Sequence, residues 1–319
     1  MLKAWYAHEV YVLTPSEVRA DEHSPKVRLL DSLSSSNNLK FFILFVVAIS
    51  LFLLLSVLIK SRSPFKRIGA FLDKCTAFAP DFIRVVFGVS LIFSAQHQAV
   101  FGPELPTAGF SYYPLITPFL YICGVALIIG IKIRLFAILT AIFWLFTLLD
   151  RGWYMLNYLN YFGEALAMIL LYRQKYSLDY VLGGAKKKAA AHEQWSMPVA
   201  RILFGFSILY AAINVKVVTT ALSLDVAQRY ELSRYFHFDP LFIVLGAAFV
   251  ESLIGILYIL GLARRLNSIV FVTFITLSIL FFKESVWPHY LLLGLAIGIL
   301  LHKPDVLALD KYLPPKRKR

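Results

Sequence analysis

Apolar residues along this chain fall in discrete runs with short polar punctuation, near 40–59, 82–101, 114–131, 133–150, 157–172, 198–217, 240–262, 266–282 and 287–301. Each run is close to the roughly 20 residues that carry a helix across a hydrocarbon core at about 1.5 Å per residue. None shows the period-two alternation of a barrel strand, and only helices or closed barrels satisfy their backbone in lipid. The pattern predicts an all-α polytopic membrane protein with about nine transmembrane helices.

Part of the pattern returns. Arg84-Val-Val-Phe-Gly88-Val-Ser90 reappears as Arg201-Ile-Leu-Phe-Gly205-Phe-Ser207, and Leu120-x3-Gly124-x5-Gly130-x3-Arg134 reappears as Glu251-x3-Gly255-x5-Gly261-x3-Arg265. Two blocks in the same order predict a duplicated bundle. The expected organisation is a polar N-terminal tail (1–39), an anchor helix with a basic loop (40–80), a first four-helix unit (81–172), a linker carrying Lys186–Lys188 (173–197), a second four-helix unit (198–303) and a basic tail (304–319). The even number of helices per unit makes the tandem repeats parallel, related by a pseudo-two-fold along the membrane normal. The N-terminal tail does not read as a signal peptide: it is polar, and the apolar run after it is too late and too long.

Composition agrees. Hydrophobic residues make up 59% of the chain and charged residues 16%, against about 25% charged in a soluble domain. Twenty of the 32 lysines and arginines fall in one set of alternate loops. The opposite set holds Arg151, Arg229 and Arg234, together with Lys3, Arg19, Lys26, Arg28 and Lys40 near the N-terminus. This asymmetry places the N-terminus outside and the C-terminus in the cytoplasm, with a prokaryotic plasma membrane as the expected location. The net charge of +13 is then a topology signal with some contact to anionic lipid of the bilayer, and nucleic acid is not an expected partner. Cys75 and Cys123 are far apart, which argues against a disulfide scaffold or a zinc site.

Ionisable groups inside a membrane are costly, so each one is a functional hypothesis. Arg84 and Arg201 sit just inside the cytoplasmic ends of their helices, where they are expected to snorkel or to pack, and their matched positions favour a role in the fold. Thirteen residues on, roughly 20 Å further along the helix, come His97 and Asn214, the latter followed by Lys216. Glu164, Glu251 and His289 are expected at a similar depth, giving one polar layer in the outer half. Glu251 is the candidate proton carrier, because a poised carboxyl can exchange protons with a bound carrier. Its counterpart in the first unit is Leu120, so one unit is expected to work and the other to serve as scaffold; the converse holds at His97, whose counterpart is Asn214. His97, Glu164, Asn214, Lys216 and His289 are candidate substrate-binding residues. The same layer also reads as a structural network, for example an ion pair between Lys216 and Glu251.

No HExxH or clustered ligand spacing appears, so no metal site is expected, and there is no motif for flavin, haem or iron–sulfur. Gly294 and Gly298, and the pairs Gly124/Gly130 and Gly255/Gly261, are expected to let helices approach closely. Tyr112, Tyr113, Trp153, Tyr154, Tyr158, Tyr161, Trp287 and Tyr290 read as an outer aromatic belt. The long loop 218–239, with several charges, is placed to cap the polar layer.

The segment Glu251-Ser-Leu-Ile-Gly255-Ile-Leu-Tyr-Ile-Leu-Gly261-Leu-Ala-Arg264-Arg265 resembles the second helix of the DoxX/DoxD-like membrane protein family, and Arg201-x3-Gly205 resembles its first helix. The unit from Arg84 to about Tyr172 resembles it more weakly, and lacks the helix-two glutamate. The resemblance implies a four-helix membrane bundle and a quinone-linked redox role, as the membrane subunit of a quinone oxidoreductase that relies on a soluble or membrane redox partner. Three readings stay open: such a redox subunit, a small-molecule transporter or carrier, and a scaffold or assembly protein without catalysis. A homo-oligomer is compatible with each.

Overall fold

The computed structural model describes residues 27–59, 63–171, 174–183, 191–283 and 286–313. Helices α1 (Ser36–Ile59) and α2 (Ser63–Lys74) precede a first group, α3 (Ala79–Gln96), α4 (Tyr113–Ile129), α5 (Ile133–Arg151) and α6 (Leu159–Leu170). A short α7 (Leu178–Gly183) leads to α8 (Ser196–Ala211), α9 (Thr220–Arg229), α10 (Leu232–Phe236), α11 (Pro240–Leu260), α12 (Arg264–Phe282), α13 (Trp287–Leu301) and the terminal α14 (Leu309–Tyr312). Six stretches among the described residues are long and apolar enough to cross a membrane: Ser36–Ser56, Ala79–Gln96, Ile133–Leu170, His192–Val218, Pro240–Leu260 and Arg264–Phe282. Tyr113–Ile129 and Trp287–Leu301 are apolar but shorter. This helix set is compatible with an integral membrane protein.

Helix ends follow local chemistry. Prolines occupy the first turns of α3, α11 and α13, where their missing N–H costs nothing. Asp239 caps α11 by accepting the Phe242 amide at 3.0 Å. The run expected over 82–101 stops at Gln96, because Gln98 and Phe101 take left-handed backbone (φ 48° and 63°) that no helix continues. Gly130 and Gly261, expected to bring helices together, instead terminate α4 and α11 at φ 75° and 64°.

The close approaches lie elsewhere. A Cβ on Gly88 would meet the Gly124 carbonyl at 2.7 Å, and one on Gly205 would meet the Gly255 carbonyl at 2.6 Å. Thus α3 crosses α4, and α8 crosses α11, glycine on glycine, and van der Waals packing holds the crossing. α5 packs on α6 and α12 on α13, and the groups join crosswise, α6 against α8 and α13 against α3. In the last contact Gly294 abuts Val86 and Gly298 abuts Ile83. α1 stands apart, with none of its apolar window buried. It leans on α11 through Phe42 and Phe45, whose rings are 5.5 and 5.9 Å from Phe249.

One end of the bundle is built on arginines. Arg84 and Arg201 do not snorkel: each is only 1% exposed. Arg84 Nη1 donates to the carbonyls of Leu127 and Ile128 at the end of α4, and Arg201 Nη1 to those of Tyr258 and Ile259 at the end of α11. Arg84 pairs with Asp81 at 3.2 Å, and Arg201 grips Asp305 with Nε and Nη2 at 2.8 and 3.0 Å. Arg264 donates to Ile299 and His302 carbonyls at 3.0 and 2.8 Å. Two aspartates close the turns. Asp179 accepts the amides of Lys132 and Ile133 (2.8 and 2.9 Å) and donates its own to Gly130 O (2.9 Å). Asp310 does the same with Ala263, Arg264 and Gly261 (3.0, 3.0 and 3.1 Å).

Segments outside the two helix groups also pack on them. Residues 304–313 are docked through Asp305, which pairs with Arg201, and Asp310, which closes the α11–α12 turn. The linker is likewise part of the bundle, with Gln174 and Ser177 buried beside Asp179. Leu29 and Leu33 of the N-terminal segment pack on Phe242 and Leu245 of α11. The Lys186–Lys188 cluster, residues 1–26 and residues 314–319 lie outside the described residues.

Gly88→Val should destabilise the bundle by about 1–3 kcal/mol, since its branches would press on the Gly124 backbone; thermal unfolding in detergent measures this. Burial holds the His302 imidazole below its ordinary 6.5, although its Nδ1 contacts the Lys303 carbonyl. Burial alone would raise the Asp305 carboxyl, but the Arg201 hydrogen bonds and charge outweigh it and hold the group below 3.8. Both depressed values mean that the unfolded chain binds protons first on acidification. His302 should therefore cost stability as pH falls below 6.5, and Asp305 only below 3.8. His302→Gln should flatten the loss of unfolding temperature in the upper window and leave the lower one unchanged.

Candidate functional site

At the end away from the arginines a cavity of about 1290 Å³ opens between α1, α9, α10, α11, α12 and the inner helices α6, α8 and α13. Its origin can be traced to single residues. In the first group the matching space is filled by Phe101, Phe119 and Phe143, with ring centroids 5.0 Å (Phe119–Phe143) and 5.7 Å (Phe101–Phe143) apart. The register that matches Leu120 with Glu251 takes Phe143 to Phe274 but Phe119 to the smaller Val250. Both Phe274 and Val250 line the cavity.

The wall toward α1 is apolar, contributed by Phe41, Phe42, Leu44, Phe45 and Ala48. The inner wall is polar. Lys216 Nζ meets Glu251 Oε2 at 2.8 Å, with the two side chains 12% and 15% exposed. His289 is fully buried on the first turn of α13. Ser207 donates to the Asn157 carbonyl at 2.7 Å and lies 3.2 Å from Asn160 Oδ1. All six line the cavity, as does Tyr161.

Lys216 reaches Glu251 because α8 does not end regularly. Residues Ala212–Val218 form a π-helix, in which the wider turn re-aims side chains, a feature frequent at functional sites. The Thr219 and Thr220 hydroxyls return to the Val215 and Lys216 carbonyls at 2.9 Å each, satisfying acceptors that the wide turn frees. The segment expected as a capping loop then folds into α9 and α10 over the cavity.

Of the sequence candidates, Glu251, Lys216 and His289 come together. The other candidates are placed elsewhere. Asn214 belongs to the π-helix but does not line the cavity. His97 is an exposed residue capping α3, stacked flat on Trp287 at 4.7 Å and 3°. Glu164 is fully buried within α6, outside the cavity lining. Arg84 and Arg201 lie at the opposite end. Asn157, Asn160 and Ser207 are not among the sequence candidates; Ser207 belongs to the recurring segment, and the two asparagines are polar breaks in an apolar run. The aromatic belt also divides. Tyr112, Tyr113, Trp153 and Tyr290 are exposed, whereas Tyr154, Tyr158, Tyr161 and Trp287 are buried. Among the described residues no three His, Cys, Asp or Glu side chains gather as a metal site.

The pair Lys216–Glu251 has a measurable signature. Removing one partner leaves a mostly buried charge behind, whereas replacing both with apolar groups does not. Glu251→Ala should lower the unfolding temperature more than the double change Lys216→Met, Glu251→Leu, and a double-mutant cycle reads the difference.

Comparison with known proteins finds no family whose pattern matches this chain, no matching curated protein and no matching solved structure.

Proposed function

We propose that this protein is an integral membrane protein that binds a long-tailed amphipathic molecule in the cavity beside α1. The head lies at Lys216, Glu251, His289 and Asn160, and the tail runs along the phenylalanines of α1 and α12. The observation that carries this reading is the division of the cavity, with its polar groups on the inner helices and an apolar wall toward α1. Pockets for small ligands run to about 300–1,000 Å³, so a cavity of 1290 Å³ has room for a tail as well as a head. The ion pair is neutral as a unit, so an uncharged head that exchanges hydrogen bonds is favoured over a net charge.

A quinone is the ligand class proposed. The resemblance to the DoxX/DoxD-like family points to it, and the lining suits it. A quinone, when bound, supplies a two-electron carrier whose reduction takes up protons. The chain's own part is to orient the head through His289 and Asn160 and to hold a proton-exchanging carboxyl at Glu251. Electrons come from a redox partner in this reading. The recurring arginine, glycine and aspartate contacts support two tandem four-helix units after an anchor helix, nine spans in all. The loop charges support the arginine end as cytoplasmic.

A carrier reading uses the same cavity and is favoured by one observation, the π-helical turn that bears Lys216, an element able to rearrange. Gly246 lines the cavity, and a Cβ there would meet nothing within 4 Å. Gly246→Trp should therefore fill the cavity without disturbing the bundle. Solvent extraction of purified protein and mass spectrometry should find near-stoichiometric quinone in the wild type and little in the variant, at equal unfolding temperature. Quinone no richer than in a control membrane protein would sink the quinone assignment. A different amphiphile, displaced by the tryptophan, would favour the carrier.

A further inference from the structure

Glu164 belongs to no feature used so far. It is 0% exposed in the middle of α6, and neither carboxyl oxygen has a hydrogen-bond partner among the described residues. An ionised carboxylate in such a place costs several kcal/mol (~20 kcal/mol in the idealised limit) unless a cation pairs with it. Membrane proteins retain such a group where it moves or stores protons.

Its surroundings point the same way. One turn back along α6 is Tyr161, 1% exposed, whose hydroxyl is 2.6 Å from Ser90 Oγ on α3 and donates to the Phe101 carbonyl at 3.0 Å. Ser94, one turn beyond Ser90, is fully buried, and its hydroxyl has no partner among the described residues. On the other side of the Phe101–Gly102 peptide sits the Tyr158 hydroxyl, so close that Gly102 has no room for a Cβ. Tyr158 donates to Glu104 Oε1, as does Tyr154 at 2.5 Å. Glu104 is only half-buried, in the loop at the end away from the arginines. Oxygen atoms thus line a path from that surface toward the middle of the bundle with two gaps, one between the Tyr158 and Tyr161 hydroxyls at the Phe101–Gly102 peptide and one between Tyr161 and the Glu164 carboxyl, each to be crossed by a hydroxyl swing or a bridging water.

The second group carries no such path. At the spacings that relate the two groups, Ser94 corresponds to Ala211, Tyr161 to Leu292 and Glu164 to Leu295. The second group packs with apolar residues at all three places, so structural need does not explain the polar ones.

We propose that Glu164 is a proton-holding site at the inner end of a proton route that enters at Glu104 and passes Tyr158 and Tyr161. Only O–H bonds break and form: Glu104 takes a proton from solvent, each hydroxyl accepts one and gives one up, and Glu164 receives or returns one. No electron moves. Tyr158 and Tyr161 also line the cavity, so the route connects the end surface, the cavity and Glu164. It does not rest on the cavity holding a quinone.

The test is infrared spectroscopy of the purified full-length protein in lipid nanodiscs. A neutral-carboxyl C=O band should be present in the wild type and lost in Glu164→Gln. Its shift on transfer to D2O should slow severalfold in Tyr158→Phe and in Glu104→Gln, with the band retained and helix content unchanged. If Glu164→Gln does not fold, a lipophilic carbodiimide, which adds to protonated carboxyls in apolar surroundings, should label Glu164 in the wild type, read by peptide mass spectrometry. Loss of no band in a folded Glu164→Gln variant, or no labelling at Glu164, overturns the site. Deuterium exchange as fast in both route variants as in wild type overturns the route. None of these readouts involves a quinone, so failure here leaves the cavity reading standing, and the reverse.

Discussion

Everything in this molecule hangs on satisfying backbone carbonyls where there is no water. The last carbonyls of a helix have no intrahelical donor, and each one left bare in an apolar medium costs several kcal/mol. Arginine solves this best, because its planar fork offers five donors and never loses its charge. Arg84 reaches across to two carbonyls at the end of α4, and Arg201 to two at the end of α11. That contact sets how α3 lies on α4 and α8 on α11, and it brings Gly88 onto Gly124 and Gly205 onto Gly255. Asp81 and Asp305 then neutralise charges that the bundle has buried.

With the arginine end held rigidly, the opposite end is free to differ. Where the first group fills its space with Phe101, Phe119 and Phe143, the second has Val250 beside Glu251 and a π-helical turn that brings Lys216 inward. A valine in place of a ring and an ion pair accompany a cavity there, where the first group is packed. The exposed apolar face of α1 completes its wall. α1 contributes little packing of its own, with none of its apolar window buried.

Buried polar groups are handled in two contrasting ways. In the second group the carboxylate of Glu251 meets an ammonium directly, and the Ser207 hydroxyl donates to the Asn157 carbonyl. In the first, Glu164 and Ser94 are buried without hydrogen bonds among the described residues, while nearby Tyr161 is fully bonded. Glu251 thus sits against a cation, whereas neither oxygen of Glu164 is bonded among the described residues.

The all-helical class, with helices long and apolar enough to cross a membrane, was legible in the chain alone, because apolar runs of that length have few other stable forms. So were most helices, to within a few residues, and the places along them where Arg84, Arg201, Glu251, Lys216 and His289 interrupt or border apolar runs. The recurrence that located these residues extends further than the motifs quoted for it: Asp179 and Asp310 are related by the same register as Leu120 and Glu251. Which polar residues share a site was not legible, since depth along a helix says nothing of the direction a side chain takes around it. It took the assembled fold, through the glycine crossings and the π-helical turn, to put Lys216, Glu251 and His289 on one cavity. The same packing left His97 on the surface against Trp287 and sealed Glu164 in a separate interior. Rotation about a helix axis is set by the packing of neighbours, and packing is a property of the assembled bundle rather than of any one run.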